Sequence, residues 1–269
     1  MNVYTNNIYT NNIKVFNDTR KLSQTEFKNE TKDLKRNTVV MQDPTNIPVP
    51  ECFTSTGCEV KFTYGGTVST AYNYAENYDV AALNFADALI PGGLVMCGEV
   101  TQEENICRCS NLYESITLDK CMSGYYKHNK KLLNIYPHYT NALIYSYEVT
   151  VFKDDMTYER IEPRKIDVIT CPSPCGGNTK NLANLLKERI EGIIKSAIYH
   201  QAEVLVLGAW GCGAFGQDTE VMGELFGEVL TKYSKFFKII DFAIRSNDGT
   251  STETSTEFER GFRRGYAND

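Results

Sequence analysis

The chain has 269 residues, of which 42% are hydrophobic and 23% are charged, so it is long enough to bury a sizeable core and is not disordered throughout. The net charge is −6 and no run of Lys and Arg forms a stripe, which argues against bulk nucleic-acid binding. The most apolar stretches, such as residues 204–216, are broken by glycines and too short to cross a bilayer, so we expect a soluble protein that does not bind membranes.

The N-terminal sequence and the cysteines bear on the cellular compartment and on metals. No export or transit signal is visible at the N-terminus, so we expect a cytoplasmic protein. The nine cysteines are an odd number and argue for reduced thiols rather than a disulfide scaffold. Cys107 and Cys109, like Cys171 and Cys175, have no His at zinc-ligand spacing, so we predict no metal site. We also expect the protein to need no cofactor.

The first elements in chain order are polar. Residues 4–8 and 9–13 both read Tyr-Thr-Asn-Asn-Ile, a low-complexity pattern that predicts a flexible N-terminal tail over residues 1–19. Residues 23–37 are highly charged and predict a surface helix, with Ser23 as its cap and Glu26 completing a capping box. Three prolines between positions 44 and 50 then predict a loop.

Apolar runs and helix-periodic segments alternate in the remainder. Strands are predicted at residues 80–85, 142–147, 166–170, 203–208 and 238–245, and helices at residues 182–200 and 220–233. Strands separated by helices indicate βα units, and hence a three-layer α/β/α sandwich with a mixed central sheet. With no linker-like change of composition, we predict that residues 20–269 form a single domain with an N-terminal helical extension.

The strand at residues 80–85 leads into a Pro-Gly-Gly turn. Asn84 lies at the strand end, where open α/β sheets bind their ligands, and its amide could bond a ligand hydroxyl. In the alternative interpretation, Asn84 only closes the turn, and Gly92 and Gly93 only permit a positive φ.

An acidic motif, Gln102-Glu103-Glu104, follows this turn. The two acids suit the first turn of a helix capped at Thr101 or a neighbour, which is a purely structural interpretation. In the functional interpretation, the loop folds this helical turn over the strand ends, so that one carboxylate faces a ligand. Adjacent helical residues point about 100° apart, so the two acids cannot form the opposed pair of an ordinary glycosidase, and at most one is the acid.

A second glycine loop, residues 208–216, follows the apolar run at residues 203–208 and precedes a predicted helix. Its Gly-x-Gly-x-x-Gly spacing matches the dinucleotide fingerprint, but that motif normally opens the first unit of a Rossmann domain. Clustered glycines let N–H groups approach a diphosphate, and Phe215 offers a flat face to a sugar or base. A structural glycine turn is the alternative.

Taken together, Asn84-Phe-Ala, Pro91-Gly-Gly, Gln102-Glu-Glu and the loop at residues 208–216 resemble the bacterial-type poly(ADP-ribose) glycohydrolases of the macrodomain superfamily. Segments 139–146, 151–154, 167–174 and 242–244 look similar in the same order. One departure is Leu94, which stands where the family has a third glycine and is expected to narrow the space around the distal ribose.

The resemblance implies a macrodomain fold whose ligand is ADP-ribose or an ADP-ribosylated protein or polymer. If the matching residues have the same roles as in the family, Glu104 is the catalytic acid and Glu103 positions the ribose. The resemblance also implies that the diphosphate is held by residues 211–216. The full set of substrate-binding residues that it implies is Asn84, Phe85, Gly92, Gly93, Gln102, Gly211, Cys212, Gly213, Ala214, Phe215 and Gly216.

The leading hypothesis is therefore an ADP-ribosyl glycohydrolase, a glycosidase acting on poly(ADP-ribose) or related O-linked conjugates. The alternatives are a non-catalytic ADP-ribose reader, a mono-ADP-ribosyl hydrolase and a nicotinamide-dinucleotide oxidoreductase. The retained Glu104 weighs against a reader, because a binding module needs no acid there. We expect a monomer.

Overall fold

Seven strands form one mixed sheet within the residues that the computed structural model describes, which are 3–50, 57–133, 138–175, 181–246 and 249–266. The strand order is β1-β4-β5-β3-β6-β7-β2. The β1–β4 and β4–β5 pairs are antiparallel, and all other neighbours are parallel. The strands are β1 (Val39–Met41), β2 (Glu59–Thr63), β3 (Val80–Phe85), β4 (Leu143–Lys153), β5 (Arg160–Cys171), β6 (Val204–Leu207) and β7 (Ile239–Ala243).

Helices cover both faces of this sheet. One face carries α1 (Val3–Gln24), α2 (Lys28–Asn37), α3 (Thr67–Tyr74), α4 (Gln102–Cys109), α5 (Leu112–Ile116) and α6 (Asp119–Cys121), followed by a π-helix (Met122–Tyr126) and α7 (Lys127–Leu132). The other face carries α8 (Leu182–Tyr199), α9 (Thr219–Tyr233) and α10 (Glu253–Tyr266). None of the described helices is long and apolar enough to cross a membrane.

Strand β3 shows how the two cores are divided. Its side chains alternate, so that Ala81 and Leu83 pack towards α8–α10 while Val80 and Ala82 pack towards α1–α6. All four are completely or almost completely buried, as expected for a parallel strand covered on both faces. The predicted three-layer α/β/α fold is therefore confirmed.

The predicted helices and strands agree best with the observed ones where the sequence is apolar. Strand β3 has the predicted bounds, and β6, β7, α8 and α9 agree with prediction to within two residues at each end. Strands β4 and β5 are longer than predicted because their outer halves form a hairpin. The outer half of β5 is mostly exposed and lacks an apolar pattern, whereas that of β4 is buried and is separated from the predicted run by the polar residue Glu148. Strands β1 and β2 were not predicted, since they have only three and five residues and lie at the sheet edges.

The predicted flexible tail over residues 1–19 is wrong for the part that the structure describes, because helix α1 begins at Val3. Asn12, Phe16, Thr19 and Ser23 are all at most 4% exposed and lie on one face of this helix, at helical spacing. Three of these four residues are polar. Hydrophobic periodicity therefore could not reveal the helix.

The predicted helix over residues 23–37 is also corrected. Helix α1 continues to Gln24, a turn follows, and α2 begins at Lys28. The Ser23 hydroxyl donates to the Thr19 carbonyl inside α1, so it does not cap a helix. Glu26 lies in the turn and forms an ion pair with Arg160 instead of completing a capping box.

Helices α9 and α10 pack with their backbones in close contact through four glycines: Gly223, Gly227, Gly261 and Gly265. A Cβ on Gly261 would overlap the carbonyl oxygen of Glu220, and one on Gly223 would overlap that of Phe258. Backbone atoms cannot move aside as a flexible side chain can. The helix pair therefore depends on the absence of side chains at these positions.

We expect Gly261→Ala to lower the free energy of unfolding by about 1–3 kcal/mol, because the new methyl group forces the two helices apart. Urea denaturation followed by circular dichroism measures this change. Gly124→Ala is the matched control, since its Cβ would meet no atom closer than 3.4 Å and the change should be neutral or slightly stabilising. Equal stability of the Gly261 and Gly124 variants would contradict the packing argument.

Candidate active site

The parallel strands β2, β3, β5, β6 and β7 end at the same edge of the sheet, where open α/β folds bind ligands. The two glycine loops singled out in the sequence follow β3 and β6. These two strands are direct neighbours, with Val80, Ala81 and Ala82 of β3 paired to Val204, Leu205 and Val206 of β6. The topology therefore places the acidic motif and the second glycine loop on adjacent strand ends.

Gln102, the first residue of α4, ties the acidic motif to the end of β3. Its Oε1 accepts from the Phe85 N–H at 2.9 Å, and its Nε2 donates to the Leu83 carbonyl at 2.7 Å and to the Thr67 hydroxyl at 3.1 Å. Both ends of the amide are thus engaged by the protein. Gln102 holds the helix against the strand, as the loop-folding interpretation of the sequence requires.

Glu103 points into the protein from the first turn of α4 and is 2% exposed. Its Oε1 accepts from the Asn84 amide at 3.3 Å and from the Gly92 N–H at 3.2 Å, and its Oε2 accepts from the Asp87 N–H at 2.8 Å. Asn84 is itself completely buried, with Nδ2 also donating to the Thr170 hydroxyl at 3.2 Å. Its Oδ1 has no partner among the described residues.

Burial raises the pKa of Glu103 to about 8. The hydrogen bonds from Asp87 and Asn84 act in the opposite direction, and the negative charges of Glu104 and Asp87 add to the rise. Glu103 is therefore held in its protonated form over much of the neutral range.

Glu104 lies beside Glu103 but faces the Pro-Gly-Gly turn. Its Oε1 accepts from the Leu94 N–H at 2.9 Å, and its Oε2 accepts from the hydroxyl of Thr101, the residue that precedes the helix. Gly93 passes between the two acids, where a Cβ would overlap Oε1 of Glu104 and lie 3.3 Å from Oε2 of Glu103. The turn can approach both carboxyl groups only because Gly93 has no side chain.

The conformation of the turn also requires glycine. Gly92 and Gly93 have φ angles of +72° and +57°, in the left-handed region. A Cβ on Gly92 would lie 2.9 Å from the ring of Tyr113, which packs beneath it. Leu94, by contrast, has a φ of −100°, which any residue adopts, and its side chain is 47% exposed. Replacing the family's third glycine therefore preserves the backbone bond to Glu104 and adds a side chain at the surface.

The second glycine loop runs from the end of β6 to the start of α9. Trp210 is fully buried and anchors the loop to β5, because its indole N–H donates to the Cys171 carbonyl at 3.0 Å. Gly213, Ala214 and Gly216 are exposed, and Phe215 is half-buried. Among the described residues, the N–H groups of Gly213, Ala214 and Phe215 have no acceptor, which leaves three successive donors for an anion.

A pocket of about 200 Å³ opens at the same edge of the sheet, at the ends of β2, β3 and β7. It is lined by residues 65–68 at the start of α3, by Phe85 at the end of β3, by Gln102 at the start of α4, by residues 243–245 at the end of β7, and by Asp155. Asp155 is 3% exposed; its Oδ2 accepts from the Ser69 N–H at 3.2 Å, and its Oδ1 has no partner in the described part of the chain. Asp155 therefore brings to the pocket wall a buried carboxyl group, one oxygen of which has no partner among the described residues.

Sequence reasoning missed this pocket. Gly65 and Gly66 follow β2, which was not predicted because it is short, so the Gly-Gly turn had no visible strand before it. Asp155 follows β4, whose outer half was not predicted either. A strand followed by Gly-Gly and a helix start would have been the signal in the first case.

The cysteine of the second glycine loop, Cys212, is not activated as a nucleophile. Cys212 lies within the loop, and burial raises the pKa of its thiol to about 12, so the thiolate is scarce at neutral pH. No group of three or more His, Cys, Asp or Glu side chains within the described residues could hold a metal ion.

The sequence matches the model of a known protein family. Residues 5–154, more than half of the chain, match the model of the microbial-type PARG catalytic domain, where PARG denotes poly(ADP-ribose) glycohydrolase. A search of curated proteins finds no match.

Solved structures of two bacterial enzymes are similar. The poly(ADP-ribose) glycohydrolase of Thermomonospora curvata is 25% identical, with 94% of this chain and 100% of that chain covered at a TM-score of 0.84. The same enzyme has been solved with the inhibitor ADP-HPD, at 25% identity, with 93% and 99% of the two chains covered and a TM-score of 0.79. The Deinococcus radiodurans enzyme in complex with ADP-ribose is 28% identical, with 87% and 96% covered and a TM-score of 0.76. The chain therefore belongs to the microbial-type poly(ADP-ribose) glycohydrolase catalytic domain family.

Proposed function

We propose that this chain hydrolyses poly(ADP-ribose) or related O-linked ADP-ribose conjugates to release ADP-ribose, with Glu104 as general acid and base. The observation that carries the proposal is the Gly92–Gly93 turn, which brings two buried carboxyl groups to the carboxyl end of β3. The neighbouring glycine loop has N–H donors that find no acceptor within the described residues. Family membership supports the same activity.

Glu104 suits the proton transfer. Cleavage of a ribosyl C–O bond develops oxocarbenium charge on the sugar, and the leaving oxygen needs a proton. Glu104 is 4% exposed, so a bound substrate would exclude the remaining water, and the Leu94 N–H and the Thr101 hydroxyl fix its direction. After transfer, the Glu104 carboxylate would activate the water that attacks the sugar.

In the described part of the chain, the hydrogen-bond partners of Glu104 are the Leu94 N–H and the Thr101 hydroxyl, and the nearest second acid in sequence is Glu103. Glu103 is the adjacent residue on the same helical turn, and its oxygens are bonded to Asn84, Asp87 and Gly92. We propose that Glu103 and Asn84 bind the distal ribose hydroxyls, and that the substrate's own diphosphate stabilises the developing cation.

The rest of ADP-ribose would then extend away from Glu104 along the strand ends. The diphosphate would lie against the N–H groups of residues 213–215, and Phe215 would pack on the ribose. The base would enter the pocket beside Phe85, where the unpartnered Oδ1 of Asp155 can accept from an exocyclic amine. The relatives solved with ADP-ribose and ADP-HPD support a ligand of this class.

A mono-ADP-ribosyl hydrolase is the second candidate, and Leu94 is the observation that favours it. Leu94 donates its N–H to Glu104 and carries an exposed side chain, and we propose that this side chain takes up space that a further ADP-ribose unit would need. Incubation with poly(ADP-ribose) and with several mono-ADP-ribosylated peptides, with the released ADP-ribose measured by chromatography, decides between the two. Release only from the peptides would favour the second candidate.

The reaction as proposed requires neither a cofactor nor a metal ion, because the acid, the water and the diphosphate supply the chemistry. We further propose that the protein acts as a monomer in the cytoplasm. The free cysteines among the described residues, several of them buried, are compatible with a reducing compartment.

Glu104→Gln should lower the rate of hydrolysis by at least ~10²-fold while leaving ADP-ribose affinity nearly unchanged, because the amide keeps the shape but cannot donate an acidic proton. Chromatography of released ADP-ribose and calorimetric titration measure the two effects. Glu162→Gln, which makes the same change at an exposed strand position, is the control. Near wild-type turnover in the Glu104 variant would reject its role as the acid.

Glu103 should make stability dependent on pH. Between its ordinary pKa of 4.5 and the folded-state pKa of about 8, the folded protein holds a proton that the unfolded chain has lost. The contribution of Glu103 to the free energy of unfolding is therefore full below pH 4.5 and falls as the pH rises towards 8.

Glu103→Gln removes this titration, so its stability relative to the wild type should be higher at pH 8 than at pH 5. Thermal denaturation of both proteins across this range measures the difference. Glu162→Gln should follow the wild-type profile. Parallel profiles for the Glu103 variant and the wild type would show that Glu103 is ionised in the folded protein throughout.

Gly213→Val should abolish ADP-ribose binding without unfolding the protein. A Cβ here meets nothing within 4 Å and φ lies outside the left-handed region, so the free protein accommodates the side chain, whereas a diphosphate could no longer approach the backbone. Calorimetry measures binding and thermal denaturation verifies folding. Titrating the wild type with NAD as well tests the oxidoreductase alternative, since tighter binding of NAD than of ADP-ribose would contradict a hydrolase.

A further inference from the structure

We infer that the N-terminal helix α1 is a positioning element of the active site, in which Asn12 fixes the turn that orients Glu104. This inference rests on the proposed role of Glu104. The buried face of helix α1 meets three segments around the acid: the turn ending at Gly98, the end of α4, and Tyr113.

The first contact is with Gly98. The Asn12 amide donates to the Gly98 carbonyl at 2.8 Å in a buried bond. Gly98 has a φ of +86°, and a Cβ there would lie 2.8 Å from the Cα of Tyr9 and overlap its carbonyl oxygen. The loop backbone thus lies directly on the helix backbone, at a position where only glycine fits.

Two short links connect Gly98 to the acid. The residues on either side of Gly98, Cys97 and Glu99, donate their N–H groups to the Leu94 carbonyl at 2.9 and 3.4 Å. The Leu94 N–H in turn donates to Oε1 of Glu104. Displacement of Gly98 therefore moves the donor that sets the direction of the Glu104 carboxyl group.

The second contact is with α4 itself. The Thr19 hydroxyl donates to the carbonyl of Arg108, which lies one turn after Glu104, at 2.5 Å. The completely buried Arg108 guanidinium donates to the Glu99 carbonyl at 2.6 Å and to the Tyr158 hydroxyl at 3.0 Å. Arg108 therefore joins the far side of the turn to the helix that carries the acid.

The third contact, between α1 and Tyr113, supports the Gly92–Gly93 turn. Phe16 meets the ring of Tyr113 edge to face at a centroid distance of 4.9 Å, and the Arg20 guanidinium lies 5.2 Å from the same ring. Tyr113 packs beneath Gly92, whose N–H donates to Glu103. Asn12, Phe16 and Thr19 thus act from one helix face on both sides of the acidic motif.

Asn12→Ala tests the inference in the full-length protein. We expect kcat to fall between about tenfold and a hundredfold, with KM within about twofold of the wild type, because the acid is misdirected while the proposed base and diphosphate subsites are untouched. Asn17→Ala removes an exposed asparagine from the same helix and should leave both constants unchanged.

Amide hydrogen exchange separates positioning from general destabilisation. In the Asn12 variant, exchange should accelerate in residues 92–99 and remain unchanged in β3, whereas a loss of global stability would accelerate both. Should Asn12→Ala fail to fold, Thr19→Val, which removes only the hydroxyl bond to the Arg108 carbonyl, carries the same expectation.

Two results would overturn the inference. The first is an unchanged kcat in a folded Asn12 or Thr19 variant, and the second is faster exchange spread evenly over the loop and the sheet. Absence of hydrolysis by the wild type itself, on polymer and on peptide substrates, would instead reject the proposed function. The two failures are therefore distinguishable.

Discussion

Two adjacent carboxyl groups are buried at the end of a parallel strand, and the structure around them serves to supply their hydrogen-bond donors. A buried carboxyl group without partners is strongly destabilising. Glu103 and Glu104 avoid this because the turn after β3 offers the N–H groups of Gly92 and Leu94, one to each acid. The turn can do so only because Gly92 and Gly93 adopt positive φ angles and have no side chains. Glycine is therefore required at these positions by the two acids as well as by the turn conformation.

A turn of this kind needs support from outside, because few apolar side chains hold it. The support comes from below through Tyr113 and from the side through helix α1, whose buried face is mostly polar. Polar groups suit this task, because a turn carbonyl that the helix buries, such as that of Gly98, needs a donor, and an apolar helix face would leave it unsatisfied. Helices in proteins owe most of their stability to tertiary packing, so α1 and the turn are expected to stabilise each other.

The second glycine loop is held differently, by rigid elements at both ends. Trp210 bonds to the end of β5, and α9, which begins just after the loop, is locked to α10 by close backbone packing. The loop between these anchors exposes Gly213 and Ala214 and half-buries Phe215, and the N–H groups of all three have no acceptor among the described residues. An anion site made from backbone donors depends on such anchoring, because the donors have no side chains to adjust their direction.

The sequence by itself determined the layers, the strands β3, β6 and β7, the helices α8 and α9, and the two glycine loops, because apolar periodicity and glycine spacing are local properties. It also indicated that Glu103 and Glu104 cannot face one another. Only the tertiary structure decided which groups each acid contacts, that Asn84 and Gln102 turn inwards, that Asp155 enters a pocket, and that the first residues form a helix. Those outcomes depend on contacts between segments distant in the chain, such as Asn12 with Gly98, which no local pattern records.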